Sequence, residues 1–132
     1  MQDAVPRVTE RRAHMGLIRA TLTLVVLDVL WIYVVMGPKY AIMGRAVQGG
    51  REITLRSPPA AASYALMVAG LQAFVLSRPY EMRVAHGALF GAIVYGIYNG
   101  TCMSIFEDWD SSVAALDTAW GTIVFAISAH VS

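Results

Sequence analysis

The sequence predicts an all-α integral membrane protein, a bundle of four antiparallel transmembrane helices. Hydrophobic residues make up 57% of the 132 residues and charged residues 14%, against about 45–50% and about 25% in soluble domains. Four apolar stretches reach the roughly 20 residues that a helix needs to cross a bilayer. Glycine, proline or charged residues separate these stretches from one another.

The four predicted spans begin and end at recognisable signals. They are residues 16–36, 59–77, 84–106 and 112–131. The first ends at Gly37-Pro38, which stops a helix, and the second begins at Pro59, because proline suits a first helical turn. Before the fourth, Asp110 and Ser111 are both candidate N-caps.

The chain is therefore divided into a polar N-terminal segment, residues 1–15, and one transmembrane domain, residues 16–132. We interpret the long first loop, residues 37–58, as a solvated extramembrane connector rather than a functional surface. The side that holds the termini carries five basic residues: Arg7, Arg11, Arg12, Arg78 and Arg83. The other side carries four: Lys39, Arg45, Arg51 and Arg56. Since basic residues favour the cytoplasmic side, we expect the termini there.

Two acids lie inside spans, each within a repeated pentad, LDVLW at residues 27–31 and LDTAW at residues 116–120. A charge at membrane depth is costly and marks a candidate functional site. Asp28 lies ~12 Å before the end of its helix and Asp117 ~8 Å after the start of its own. These helices run antiparallel, so the two carboxylates lie at similar depth and meet if the helices are neighbours. Trp31 and Trp120, three residues further on, share the faces of the acids.

Two interpretations of these acids stay open. One is a proton or cation relay through Asp28 and Asp117. The other, plainer one is a pair of polar anchors that hydrogen-bond to side chains of the middle helices. The candidate partners are Tyr64, Gln72, Tyr95, Asn99 and Thr101, with Tyr98 beside them.

Small residues recur every four positions along the third span, a pattern typical of helices whose backbones approach closely. They are Ala88, Ala92, Gly96, Gly100 and Ser104, with a second pair, Gly87 and Gly91. A matching stripe on the fourth span is Ala114, Thr118, Thr122 and Ala126. We therefore expect the third and fourth helices to dock as a tight hairpin, although the stripe also suits a partner from another subunit.

The histidines and Trp109 are weaker candidates for a functional site than the two acids. His86 and His130 are candidate haem or pigment ligands, but interfacial histidines account for their positions as well, and no cofactor is predicted. Trp109 is interpreted as an anchor at the membrane interface. The sequence has no phosphate loop, nucleophile elbow or HExxH motif, so we expect no enzyme. A net charge of +1 gives no reason to expect a nucleic-acid partner.

Several motifs in order resemble the predicted membrane proteins of the domain-of-unknown-function family 2177. They are Leu27-Asp28-x-x-Trp31, Gly87-x-x-Phe90-Gly91, Tyr95-x-x-Tyr98-Asn99-x-Thr101, Asp108-Trp109 and Asp117-x-x-Trp120-Gly121-Thr122. The resemblance implies a four-span membrane protein and does not indicate a catalysed reaction. Asn99 stands where the family pattern has an aspartate, and Cys102 where it has an asparagine. If that aspartate belonged to a site with Asp28 and Asp117, the chain lacks one acid, which favours a structural role.

The sequence thus predicts a non-catalytic accessory or structural subunit that packs against other membrane proteins, or against itself, through its small-residue faces. The alternative is a small carrier or channel for protons, cations or polar solutes that uses Asp28 and Asp117. A third hypothesis is a pigment- or haem-binding subunit that uses His86 or His130.

Overall fold

The protein is all-α, as the sequence predicts. A computed structural model describes residues 4–132, with side chains from residue 9 onwards, and this part of the chain contains no strand. The helices are α1 (Ala4–Leu30), α2 (Gly37–Val47), α3 (Ser57–Gly70), α4 (Tyr80–Ile105) and α5 (Ser111–His130). Helix α1 continues as a π-helical segment, Trp31–Val35, and helix α3 continues as another, Leu71–Leu76.

Four helices are long and apolar enough to cross a membrane, in agreement with the predicted spans. They cover Thr9–Val35, Ser57–Leu76, Tyr80–Ile105 and Ser111–His130. Helix α1 begins at Ala4 and so takes in most of the predicted polar segment; residues 1–3 lie outside the described part. Large apolar side chains point outward, such as Val34 and Leu66, which are 71% and 74% exposed. Helices that are apolar on their outer faces are expected where lipid is the solvent.

Helices α4 and α5 form the predicted tight hairpin, but only part of the predicted stripe makes the contact. A Cβ at Gly87 would lie 2.6 Å from the carbonyl oxygen of Phe125, and one at Gly91 would overlap the carbonyl of Gly121. A Cβ at Gly96 would meet Thr118 only at ordinary contact distance, 3.7 Å. The close approach therefore depends on the second glycine pair.

The far end of the predicted stripe does not reach α5. A Cβ at Gly100 would meet nothing within 4 Å, and Ser104 is exposed. Ala88 and Ala92 are half-buried beside the contact. The tight contact is confined to the first half of α4, so Gly100 and Ser104 lie outside it, and the prediction that they pack against another subunit stays open.

Two buried clusters hold the bundle together. The larger one joins α1, the end of α3 and α5 through Ala20, Leu24, Leu71, Val75, Leu76, Val124, Phe125 and Ala129. The smaller one consists of Met36, Met43 and Val113, with Trp31, Tyr40 and Trp109 packed against it. The smaller cluster fixes α2 against the start of α5.

Helix α3 is attached mainly by its C-terminal end. Its π-helical segment packs against α4 and α5, and Leu71, Val75 and Leu76 there are buried. The segment Ser57–Gly70 contains no buried residue. The first part of α3 therefore stands away from the other helices and leaves a gap beside them.

Helix α2 lies in the segment that the sequence analysis assigned to a solvated connector. Pro38 occupies its first turn, where proline is well tolerated, so the Gly-Pro pair both ends α1 and begins α2. Gly49 and Gly50 follow α2 with φ angles of 63° and 86°, a backbone conformation that favours glycine. The connector is thus half helix, and that helix packs on the bundle.

Asp110 is the N-cap of α5, which confirms one of the two predicted caps. Its Oδ1 accepts hydrogen bonds from the backbone N–H groups of Ser112 at 2.8 Å and Val113 at 3.1 Å, and from the Ser112 hydroxyl at 2.6 Å. The Ser112 hydroxyl, with the two backbone N–H groups, holds the pKa of Asp110 below its usual value.

We expect Asp110→Ala to destabilise the protein more at neutral pH than in acid. A lowered pKa means that the cap contributes fully above the unfolded pKa of about 3.9 and is lost as the pH falls through the folded pKa. Unfolding by sodium dodecyl sulfate at neutral and acidic pH measures the difference. Glu107→Ala, which removes an exposed acid from the same turn, is the control. Equal destabilisation at both pH values would contradict the prediction.

Candidate functional site

The Asp28 carboxylate joins α1 to each of the other three spans. It is 4% exposed. Its Oδ2 accepts from the Tyr64 hydroxyl of α3 at 2.5 Å. Its Oδ1 accepts from the Tyr95 hydroxyl of α4 at 2.7 Å and from the Trp120 Nε1–H of α5 at 3.0 Å. One buried acid therefore receives a donor from every neighbouring span.

The Asp117 carboxylate, 7% exposed, is the centre of a second set of hydrogen bonds. Its Oδ1 accepts from the Tyr40 hydroxyl of α2, and its Oδ2 accepts from Asn99 Nδ2 at 2.8 Å. Asn99 Oδ1 in turn accepts from Trp109 Nε1–H at 3.2 Å. Burial and the adjacent Asp117 raise the pKa of Tyr40 well above its usual range, so this phenol remains a neutral donor.

The two carboxylates are neighbours across the bundle. Tyr95 and Asn99, which donate to one carboxylate each, lie one turn apart on α4, which is about 6 Å along the helix axis. Trp31 and Trp120 stack between α1 and α5, with ring centroids 4.6 Å apart and an interplanar angle of 5°. Trp31 Nε1 is buried and has no hydrogen-bond partner among the described residues. The two repeated pentads thus pack against each other.

No basic side chain of the described residues donates a hydrogen bond to either carboxylate. All five donors to the two carboxylates are neutral phenol, indole or amide groups. The one salt bridge among the described residues joins Arg45 to Glu52, at the surface and 2.5 Å apart. A buried carboxylate is costly unless it is paired, protonated or well hydrogen-bonded. The neutral hydrogen-bond donors offset part of the cost of burying the two carboxylates. No basic side chain of the described residues pairs with either of them.

Both carboxylates line one cavity of about 1020 Å³. Its polar lining includes Tyr40, Tyr95, Tyr98, Asn99 and Trp109, and most of its remaining wall is apolar, with Ile32, Met67, Phe90 and Val94 as examples. Pockets for small organic ligands have about 300–1,000 Å³. This cavity is therefore large enough for an organic molecule.

The cavity is open on the side of α3. Tyr33 of α1 and Leu66 of α3 both line it, and they are also 65% and 74% exposed on the outer surface. Leu66 lies nine residues into α3, about 14 Å from its start. The opening is therefore bordered by apolar side chains on the outer surfaces of these helices, and also by Ile53 and Leu55 of the segment before α3, which are 51% and 70% exposed.

Most of the polar residues that the sequence indicated do come together. Asp28, Tyr95, Tyr98, Asn99 and Asp117 line the cavity. Tyr64 and Trp120 donate to Asp28, and Trp31 stacks on Trp120. Two others do not: Gln72 and Thr101 are exposed away from it. Sequence reasoning missed Tyr40, because α2 was not expected, and gave Trp109 only an interfacial role.

The histidines lie away from the cavity. His86 Nδ1 is 2.9 Å from the carbonyl oxygen of Met82 on its own helix, and the His130 carbonyl accepts a hydrogen bond from the Tyr80 hydroxyl at 3.0 Å. Neither residue lines the cavity. Within the described residues, no three histidine, cysteine, aspartate or glutamate side chains form a group that could hold a metal ion.

Comparison with known proteins places the chain among membrane proteins. A family model described as "Predicted membrane protein (DUF2177)" matches residues 14–132. No curated protein and no solved structure matches the chain. The matched region includes the first span from residue 14 onwards, the other three spans, α2 and every residue of the cavity.

Proposed function

The chain belongs to the DUF2177 family of predicted membrane proteins, and we propose that it is a non-catalytic membrane carrier that binds a cation with Asp28 and Asp117. One observation carries the proposal: two buried carboxylates line a single cavity, and all the donors to them among the described residues are neutral. A cation in the cavity supplies the positive charge that the described residues do not.

The hydrogen bonds leave room for such a ligand. A carboxylate has about four acceptor positions. Three donors occupy Asp28 and two occupy Asp117, which leaves about one position on the first and about two on the second. The excess of basic residues beside the termini favours their cytoplasmic placement, so the half of the bundle that contains the cavity lies toward the other side of the membrane.

The tryptophans provide the test. The three in the sequence are Trp31, Trp109 and Trp120, and all contact the site, so intrinsic fluorescence reports on it alone. The purified protein is titrated in detergent with sodium, potassium and ethylammonium chlorides, with the ionic strength held by tetramethylammonium chloride, and also over a pH series. We expect a saturable change with at least one of these cations.

The matching variant is Asp28→Asn with Asp117→Asn. Each asparagine keeps one acceptor oxygen for the neutral donors, so the fold is retained, but the charge is lost. We expect binding to weaken about tenfold or more, because a hydrogen bond to a charged group contributes roughly 1.5–3 kcal/mol and about 1.4 kcal/mol is tenfold. Glu10→Gln with Glu81→Gln removes two exposed acids and serves as the control. Unchanged binding in the Asp28/Asp117 variant would overturn the proposal.

The accessory-subunit hypothesis is the second candidate, and one observation supports it. Gly100 and Ser104 are exposed on α4, so the outer part of the small-residue stripe is free to receive a helix of another chain. The particle mass in mild detergent separates the candidates. A larger hetero-assembly that Gly100→Leu breaks apart supports the accessory role, and a single-chain particle contradicts it.

A further inference from the structure

We infer that the ligand of this site is an amphiphile with a primary ammonium head and a long apolar chain, which enters the cavity sideways from the lipid. This inference rests on the proposed function, since the head group binds the same two acids. It adds the chemical class of the ligand and the route by which the ligand reaches the site.

The size and the walls of the cavity favour an organic ligand over an inorganic ion. A volume of about 1020 Å³ is at the upper end of the range for organic ligands, and a bare ion fills only a small part of it. The walls away from the carboxylates are formed largely by Ile32, Met67, Phe90 and Val94. Such walls suit a hydrocarbon chain, because its burial requires no hydrogen-bond partner.

The opening lies where a lipid would enter. The first part of α3 has no buried residue, and the gap beside it is bordered by Tyr33 and Leu66, which are exposed and line the cavity. Because Leu66 lies about 14 Å inside its helix, we place this part of the gap at the depth of the lipid chains. A chain dissolved in the membrane can therefore pass between α1 and α3 without crossing an aqueous phase.

The free acceptor positions on the two carboxylates indicate an ammonium head group for the ligand. An ammonium group has three N–H donors and no acceptor, which equals the number of acceptor positions left on Asp28 and Asp117. Both carboxylates line the same cavity, and their donors Tyr95 and Asn99 lie one turn apart on α4, so one ammonium group in the cavity is placed to donate to both acids. A quaternary ammonium has no N–H and cannot make these bonds.

The test places the protein in phosphatidylcholine nanodiscs and follows tryptophan fluorescence. Four probes are added separately: octadecylamine, octadecanol, octadecyltrimethylammonium and ethylammonium. We expect saturation near one octadecylamine per chain. We expect no saturable change with octadecanol, and at least tenfold weaker binding of the trimethyl compound and of ethylammonium.

Substitutions at two alanines of α3 test whether the ligand enters between α1 and α3. Ala60 lines the cavity, and Ala62 is exposed on the same helix and does not line it. We expect Ala60→Phe to weaken octadecylamine binding at least tenfold and to leave ethylammonium unchanged, and we expect Ala62→Phe to alter neither. Asp28→Asn with Asp117→Asn should abolish the octadecylamine response.

The outcomes separate this inference from the proposed function. If ethylammonium or an inorganic cation binds as tightly as octadecylamine, and binding still needs the two acids, the carrier proposal stands and the amphiphile is excluded. If octadecanol binds as tightly as the amine and the acids have no effect, both are overturned. Equal binding of octadecylamine to the two phenylalanine variants contradicts the lateral route.

Discussion

Replacing Gly91 by alanine is expected to separate α4 from α5 and to lower the free energy of unfolding by about 2–3 kcal/mol. A Cβ at this position would overlap the carbonyl of Gly121 and lie 3.0 Å from the Cβ of Phe125. The overlapped atoms belong to backbone, which cannot rotate away, so the helices themselves must move apart. Overpacking costs typically about 1–3 kcal/mol, and the lost contact lies in the closest helix pair of the bundle.

Gly100→Ala is the matched control on the same helix. A Cβ there meets nothing within 4 Å, so we expect no loss and a gain of up to about 1 kcal/mol from helix propensity. Unfolding by sodium dodecyl sulfate, followed by far-ultraviolet circular dichroism, gives both values. If the two variants shift the unfolding midpoint alike, the close contact at Gly91 does not determine stability.

The same contact links the fold to the site, which gives the Gly91 variant a second readout. Tyr95 follows Gly91 by one turn on α4, and Trp120 precedes Gly121 on α5. Both side chains donate to the Asp28 carboxylate. Helices that move apart at Gly91 cannot keep both bonds, so the tryptophan emission of the folded variant should change as well.

The four spans could be predicted from the sequence because their signals are local. Length, hydropathy and the bounding prolines determine where a helix crosses the bilayer, and the Asp110 cap lies directly before α5. The hairpin was also predictable in outline. Which glycines form it was not, since Gly91 and Gly100 look equivalent in a four-residue pattern and differ only in the way α5 crosses α4.

The carboxylate pair was predictable in part because the pentads repeat. Equal depth of Asp28 and Asp117 follows from the antiparallel spans, and the structure brings both acids to one cavity. Tyr40 was not predictable in the same way, because Gly37-Pro38 was interpreted only as the end of a helix. A proline also begins helices, and here it begins α2 and places Tyr40 beside Asp117.

The cavity itself has no signature in the sequence. Its existence depends on the angle at which α3 leaves the bundle, and α3 is apolar around most of its circumference. Because the faces of α3 differ little in hydrophobicity, the sequence of α3 does not indicate which face contacts protein and which contacts lipid. Among the polar residues of α3, Tyr64 donates its hydroxyl to Asp28 across the gap, and Ser63 lines the cavity.

Asp28→Leu is expected to lower the free energy of unfolding by about 2–4 kcal/mol relative to Asp28→Asn. Both variants remove the charge and have side chains of similar shape, so their difference isolates the acceptor oxygen. Leucine leaves Tyr64, Tyr95 and Trp120 without their common acceptor. Hydrogen bonds between helices within a membrane contribute about 0.6 kcal/mol on average and up to about 1–2 kcal/mol, and three are lost together.

Unfolding by sodium dodecyl sulfate, followed by tryptophan fluorescence, measures both variants against the native protein. We expect Asp28→Asn to remain close to the native value, because an amide oxygen replaces Oδ1 and the Tyr64 hydroxyl can accept from the amide nitrogen. Equal stability of the leucine and asparagine variants would show that Asp28 does not hold the bundle together. In that case its burial has no structural explanation, and binding of a positively charged ligand becomes the main reason for an acid at this depth.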